Sequence, residues 1–125
     1  EHVPSLTLLH VPGATELQDN AFQWIGQLSA LQSLDVTGTS VSDDMVISHL
    51  SRLRQLSALY ITRCESLTAD IWSSLALLPL QGLFVAGCEF LFVSLFQPQG
   101  AGFFLSQMKL RTLDLRVESY WADQS

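Results

Sequence analysis

Apolar and polar positions along this chain follow a pattern that returns at nearly even intervals. The arrangement Leu-x-x-Leu-x-(aliphatic) occurs at Leu31, Leu34 and Val36, then at Leu56, Leu59 and Ile61. It returns at Leu80, Leu83 and Val85 and at Leu110, Leu113 and Leu115, and a looser copy opens the chain at Leu6, Leu9 and Val11. The first leucines stand at 6, 31, 56, 80 and 110, in steps of 25, 25, 24 and 30 residues. A fixed period in this range is the mark of a solenoid, in which each repeat buries its apolar side against its neighbours.

Each repeat divides into two parts. The end of the leucine pattern alternates (Leu34 inward, Asp35 outward, Val36 inward), the period-2 signature of a short half-buried strand. The part that follows has helical spacing. In the second repeat Ser42 is suited to cap a helix whose first turn holds Asp43 and Asp44, where carboxylates favour the helix dipole. Val46, Leu50 and Leu53 then share one face. Thr68 is the corresponding cap in the third repeat, ahead of Ile71, Leu75 and Leu78, and Pro79 closes that helix. In the first repeat Asp19 is the expected cap before Phe22, Ile25 and Leu28. One strand and one helix per repeat, turned the same way each time, predict an α/β fold with parallel strands on a concave face and helices on a convex one.

The long fourth step contains the break in the rhythm. Residues 90–104 carry five phenylalanines around a Pro/Gly elbow at residues 97–102. They read either as a looser turn whose aromatic rings fill core space or as a protruding apolar loop that docks a partner.

Composition narrows the class. At 125 residues the chain is one domain's worth, and 48% hydrophobic against 14% charged residues excludes a disordered chain. The net charge of −6, with Lys109 the single lysine, repels phosphate backbones, so no nucleic acid is expected as a partner. A neutral or basic protein surface suits it better. No run reaches the roughly 18 apolar residues of a membrane span, and the first residues lack the basic start and apolar run of a signal peptide. With no initiator methionine, the chain reads as a piece of a longer solenoid of which about five repeats are present.

These residues resemble the leucine-rich repeat family, in particular its cysteine-containing branch of F-box and related adaptor proteins with ribonuclease-inhibitor-like folds. That branch reads Leu-x-x-Leu-x-Leu-x-x-Cys. The run from Leu56 to Cys64 matches it, as does the run from Leu80 to Cys88. Thr39 and Ala14 stand in the cysteine place of two further copies, and the last copy departs from the pattern at Glu118. The resemblance implies inward-facing cysteines that satisfy backbone groups at the turn after the strand. It also implies a protein-binding role: a scaffold, the substrate-recognition part of an F-box-type ubiquitin ligase, or a subunit of a large assembly. Flanking cysteine-rich caps of the extracellular kind are absent, which favours an intracellular, cytoplasmic protein.

Candidate chemistry is sparse. Cys64 and Cys88 occupy the same place in consecutive repeats, near enough across a sheet for a disulfide by Cα distance, yet buried thiols fit better. Two thiols without a matching histidine pair form no zinc spacing, and no cofactor is expected. His10, Asp35, Tyr60, Phe84 and Asp114 share one outward strand position and should form a row. A histidine beside an aspartate suits acid–base work, but no nucleophile motif or phosphate-binding loop accompanies it, so catalysis is not expected. Tyr60 and Phe84 form an exposed aromatic patch in this reading, and aromatics are favoured at interface hot spots. Their outward neighbours are small: Ser33, Ala58 and Gly82 on one side, Thr37, Thr62 and Ala86 on the other. Arg63, in the place of Gly13, Gly38 and Gly87, is the cation nearest the patch. The expected partner-binding residues are therefore Asp35, Tyr60, Arg63, Phe84 and Asp114. Trp24 and Trp72 fit either core or packing between repeats, Trp121 lies in a polar tail, and His49 reads as an exposed helix residue.

Overall fold

The computed structural model describes residues 5–88, 105 and 107–114. The aromatic segment at 90–104, Glu118 and Trp121 lie outside the described residues. The fold is α/β, with a five-stranded parallel sheet whose spatial order is the chain order. Its strands are β1 (Leu8–His10), β2 (Ser33–Asp35), β3 (Ala58–Tyr60), β4 (Gly82–Phe84) and β5 (Thr112–Asp114). Helix α1 (Asp19–Ile25) joins β1 to β2. Helix α2 (Asp43–Ser48), with a 3-10 turn at Leu50–Arg52, joins β2 to β3. A 3-10 turn at Ala69–Ile71 runs directly into α3 (Trp72–Leu75) before β4. No helix among the described residues is long and apolar enough to cross a membrane.

The strands are short because each contributes one inward residue. Leu9, Leu34, Leu59, Leu83 and Leu113 lie opposite one another in register. The central three are fully buried, whereas Leu113 is 37% exposed, and among the described residues its strand has a neighbour on one side alone. The leucines that open the three middle patterns and the aliphatics that close them join the same core: Leu31, Val36, Leu56, Ile61, Leu80 and Val85 are all buried. From the helical side come Phe22, Ile25 and Leu28, then Val46, Leu50 and Leu53, then Ile71, Leu75 and Leu78. Trp72 is buried with them, while Trp24 is 46% exposed, so the two tryptophans divide between core and surface.

The backbone repeats its hydrogen bonds from one crossover to the next. The amide of Val11 donates to Asp35 O, that of Val36 to Tyr60 O, that of Ile61 to Phe84 O and that of Val85 to Asp114 O, all at 2.8–2.9 Å. At the entry to each strand two consecutive amides share one carbonyl: Gln32 and Ser33 donate to Thr7 O, Ser57 and Ala58 to Gln32 O, Gln81 and Gly82 to Ser57 O. Buried backbone polar groups need such partners, and here each repeat supplies them to its neighbour.

The helix starts form a second interlock. Ser42 caps α2 by accepting from Met45 N at 3.4 Å, and Thr68 accepts from Asp70 N at 3.3 Å. Asp43, the first residue of α2, reaches forward and accepts from both the amide (2.8 Å) and the hydroxyl of Thr68. At α1 the expectation is corrected. The cap position is Gln18, with no side-chain cap bond, and Asp19 is the first helical residue. Its carboxylate instead lies 3.0 Å from His49 Nε2. His49 is accordingly not an exposed helix residue: its side chain is 13% exposed, and its buried Nδ1 has no hydrogen-bond partner among the described residues.

The close approach of α1 to the end of α2 depends on Gly26. A methyl group there would sit 2.7 Å from the carbonyl oxygen of His49, a backbone atom with little freedom to yield. Gly26 caps the end of α1 at a φ of −65°, which alanine adopts readily, and such a glycine-to-alanine change ordinarily stabilises by about 0.4–1 kcal/mol. Here the sign is expected to reverse: Gly26→Ala should cost about 1–3 kcal/mol, as overpacking does. Urea denaturation of the two proteins measures it, and a stabilised variant would show that the helices separate freely.

Candidate binding face

The register places His10, Asp35, Tyr60, Phe84 and Asp114 in one row across the sheet. They occupy the face opposite the buried leucines, as the alternation within each strand requires. Their side chains form a connected surface. The rings of Tyr60 and Phe84 stack with centroids 4.3 Å apart and planes within 4° of parallel. His10 meets Tyr60 edge-on at 6.2 Å and 67°, although the strand carrying Asp35 runs between them. Neighbouring strands are about 4.8 Å apart, so His10 and Tyr60 lean toward each other over the aspartate.

Asp35 leaves room for that contact. One carboxylate oxygen accepts from the amide of Thr37 at 2.9 Å, which fastens the side chain to its own turn. Gly82 does the same for Phe84. A methyl group at Gly82 would lie 3.2 Å from Phe84 Cε1, so the ring rests over the space that the glycine leaves. Tyr60 and Phe84 are consequently half-buried in each other and in the sheet, less open than an isolated exposed patch. Of the small residues flanking the row, Ala86 is buried, and Thr62 donates its hydroxyl to Phe84 O at 3.3 Å.

Arg63 is exposed and has a φ of 59°, the left-handed region. Gly13, Gly38 and Gly87 occupy the same conformation at φ 76°, 72° and 75°. The reason is the turn that follows each strand. The amides of Ala14, Thr39, Cys64 and Cys88 donate to Val11 O, Val36 O, Ile61 O and Val85 O, and the third residue of such a four-residue turn takes a positive φ. A side chain in this region costs roughly 1–2 kcal/mol relative to glycine, so Arg63 carries a backbone penalty. Such outliers motivate a search for function at the residue that bears the strain.

Behind this face the two cysteines are buried free thiols. Cys64 Sγ donates to Val36 O at 3.2 Å and Cys88 Sγ to Ile61 O at 2.8 Å, each to the carbonyl that closes the preceding strand. Thr39, in the cysteine place of the second repeat, donates to Val36 O at 2.7 Å. Burial raises the Cys64 thiol above its usual range and pushes that of Cys88 up to about 12.

No family model matches the chain, and no curated protein matches it. A solved structure titled "Leiomodin-1 Actin-Binding Site 2 (ABS2)" is similar in fold, with a TM-score of 0.58 over 97% of this chain and 76% of that one. The two sequences are 11% identical, so the likeness concerns fold alone.

Two outcomes are expected. Arg63→Gly relieves the left-handed penalty, offset in part by the greater freedom of glycine when unfolded, for a net gain of about 0.5–1 kcal/mol. Thermal unfolding should rise by a few degrees, and a fall would mean that the guanidinium's own contacts outweigh the strain. For the thiols, a pKa raised on folding means that the native state holds its proton longer. The stability tied to Cys88 is thus complete below its unfolded value of 9.0 and is lost as pH rises through about 12. Iodoacetamide at pH 8 should therefore label both cysteines only as fast as the protein opens, and labelling at the rate of a free thiol would contradict their burial.

Proposed function

We propose that this chain is a leucine-rich-repeat solenoid that acts without catalysis, as an intracellular protein–protein interaction module. In this reading the sheet forms the concave surface, with Tyr60 and Phe84 as apolar anchors. Arg63, Asp35 and Asp114 set the polarity and orientation of the partner. The observation that carries the proposal is the stacked pair on the sheet face opposite the core, with an arginine in a strained backbone conformation in the turn that follows the strand of Tyr60. Aromatic pairs and arginine are the residue types that dominate interface energetics. Their rigidity favours binding as well, because a stacked pair loses little freedom when a partner covers it.

Actin is the first partner to try, since a solved structure of similar fold bears an actin-binding title. The proposal does not depend on that choice. A role as a structural subunit of an assembly fits the same face.

Magnitudes make the test practicable. Stacking contributes about 0.5–1.5 kcal/mol beyond area burial, whereas emptying an inward leucine costs about 2–5 kcal/mol. The double substitution Tyr60→Ser with Phe84→Ser should leave the protein folded. The exposed Gln23→Ser serves as a control. Affinity purification from cells that express the protein should recover the same stoichiometric partner with wild type and control, and at least about tenfold less with the double variant. Equal recovery by all three folded proteins would sink the assignment of this face, and loss of folding in the double variant would return Tyr60 and Phe84 to the core.

A further inference from the structure

We propose that the edge of the sheet where the strands begin carries a second docking site, which takes an acidic protein segment with an apolar anchor. All crossovers among the described residues run the same way, so helix starts gather at one edge and helix ends at the other. Charge has separated along that axis. Glu16, Asp19, Asp43, Asp44, Glu65 and Asp70 lie at the helix-start edge. At the opposite edge, residues 26–32, 50–57, 76–81 and 107–111 contain Arg52, Arg54, Lys109 and Arg111 and not one carboxylate. Four of the chain's six cations thus occupy one edge of a protein whose net charge is −6.

A groove of about 430 Å³ opens among them. Arg54, from the lead-in to β3, and Lys109, from the lead-in to β5, contribute the charge. Leu77 and Pro79 after α3, together with Met108, provide apolar walls, and Gln81 adds an amide. Leu77 is 58% exposed, more than any other large hydrophobic residue among those described. Neither Arg54 nor Lys109 forms an ion pair or side-chain hydrogen bond with another described residue. Two uncommitted cations flanking an exposed leucine match a ligand with carboxylates beside an apolar side chain. The negative charge elsewhere repels such a ligand, which confines it to this edge.

A fluorescein-labelled octapeptide alternating leucine and glutamate, and its leucine–glutamine counterpart, provide the test by fluorescence anisotropy. The acidic peptide should bind about tenfold more tightly than the neutral one, an advantage that shrinks as salt rises. Combining Arg54→Gln with Lys109→Gln should abolish the advantage without lowering the melting temperature, and Leu77→Ser should weaken both peptides. Tyr60→Ser with Phe84→Ser should leave peptide binding unchanged, which separates this site from the aromatic face. Equal affinity for the two peptides overturns the proposal, as does acidic-peptide binding that survives the double glutamine variant. A double glutamine variant that melts lower yet binds the peptide as before assigns the cations to the helix ends, which also overturns it. So does a concentration-dependent dimer that the same variant dissolves, because the occupant would then be a second copy of the chain.

Discussion

The strands of this protein pair with those of the neighbouring repeats, in parallel and in register, and everything else is arranged around that constraint. A strand of three residues cannot hold itself together. Its backbone groups and its single inward leucine are satisfied by its neighbours, so a residue in one repeat must lie over its counterpart in the next. The carbonyl of Val36 illustrates how tightly the repeats are keyed. It accepts from the Thr39 hydroxyl within its own repeat and from the Cys64 thiol of the following one. A slip of one residue along the strand would turn every leucine outward and leave these carbonyls without donors.

The same constraint creates the outward face of the sheet and the strain beside it. Because the inward positions are committed to the core, the outward ones stack in columns whether or not the resulting neighbours suit each other. In the column of Tyr60 they do: Asp35 folds back onto its turn, Gly82 yields space, and the rings close over both. In the column of Arg63 the turn after each strand demands a left-handed residue, and the arginine accepts a conformation that glycine occupies at Gly13, Gly38 and Gly87. Parallel crossovers also align the helices, which explains why carboxylates accumulate at the helix starts and cations at the edge beyond their ends. The asymmetry is a property of the stack, built from residues far apart in the chain.

Much of this was legible in the leucine spacing. The period identified the strands, the alternation within each identified the inward and outward residues, and the columns followed because equal steps bring equal positions together. Ser42 and Thr68 were readable as caps from local residue type alone, since capping is a contact between near neighbours. Asp19 was not. Its carboxylate turns away from its own helix to meet His49, 30 residues on, and no local signal records a partner at that distance. The exposure expected of His49 failed for the same reason.

Sequence alone thus determined the α/β class, the register and the membership of the outward row, because each depends on a repeating short-range pattern. Tertiary structure decided the rest. That Tyr60 and Phe84 stack, that His10 reaches across Asp35, that Gly26 must lack a side chain and that Arg54 shares a groove with Lys109 are all consequences of packing. Periodicity specifies which residues share a column, but side-chain direction and free space depend on atoms contributed by the neighbouring repeats, and those distances exist only once the repeats are stacked.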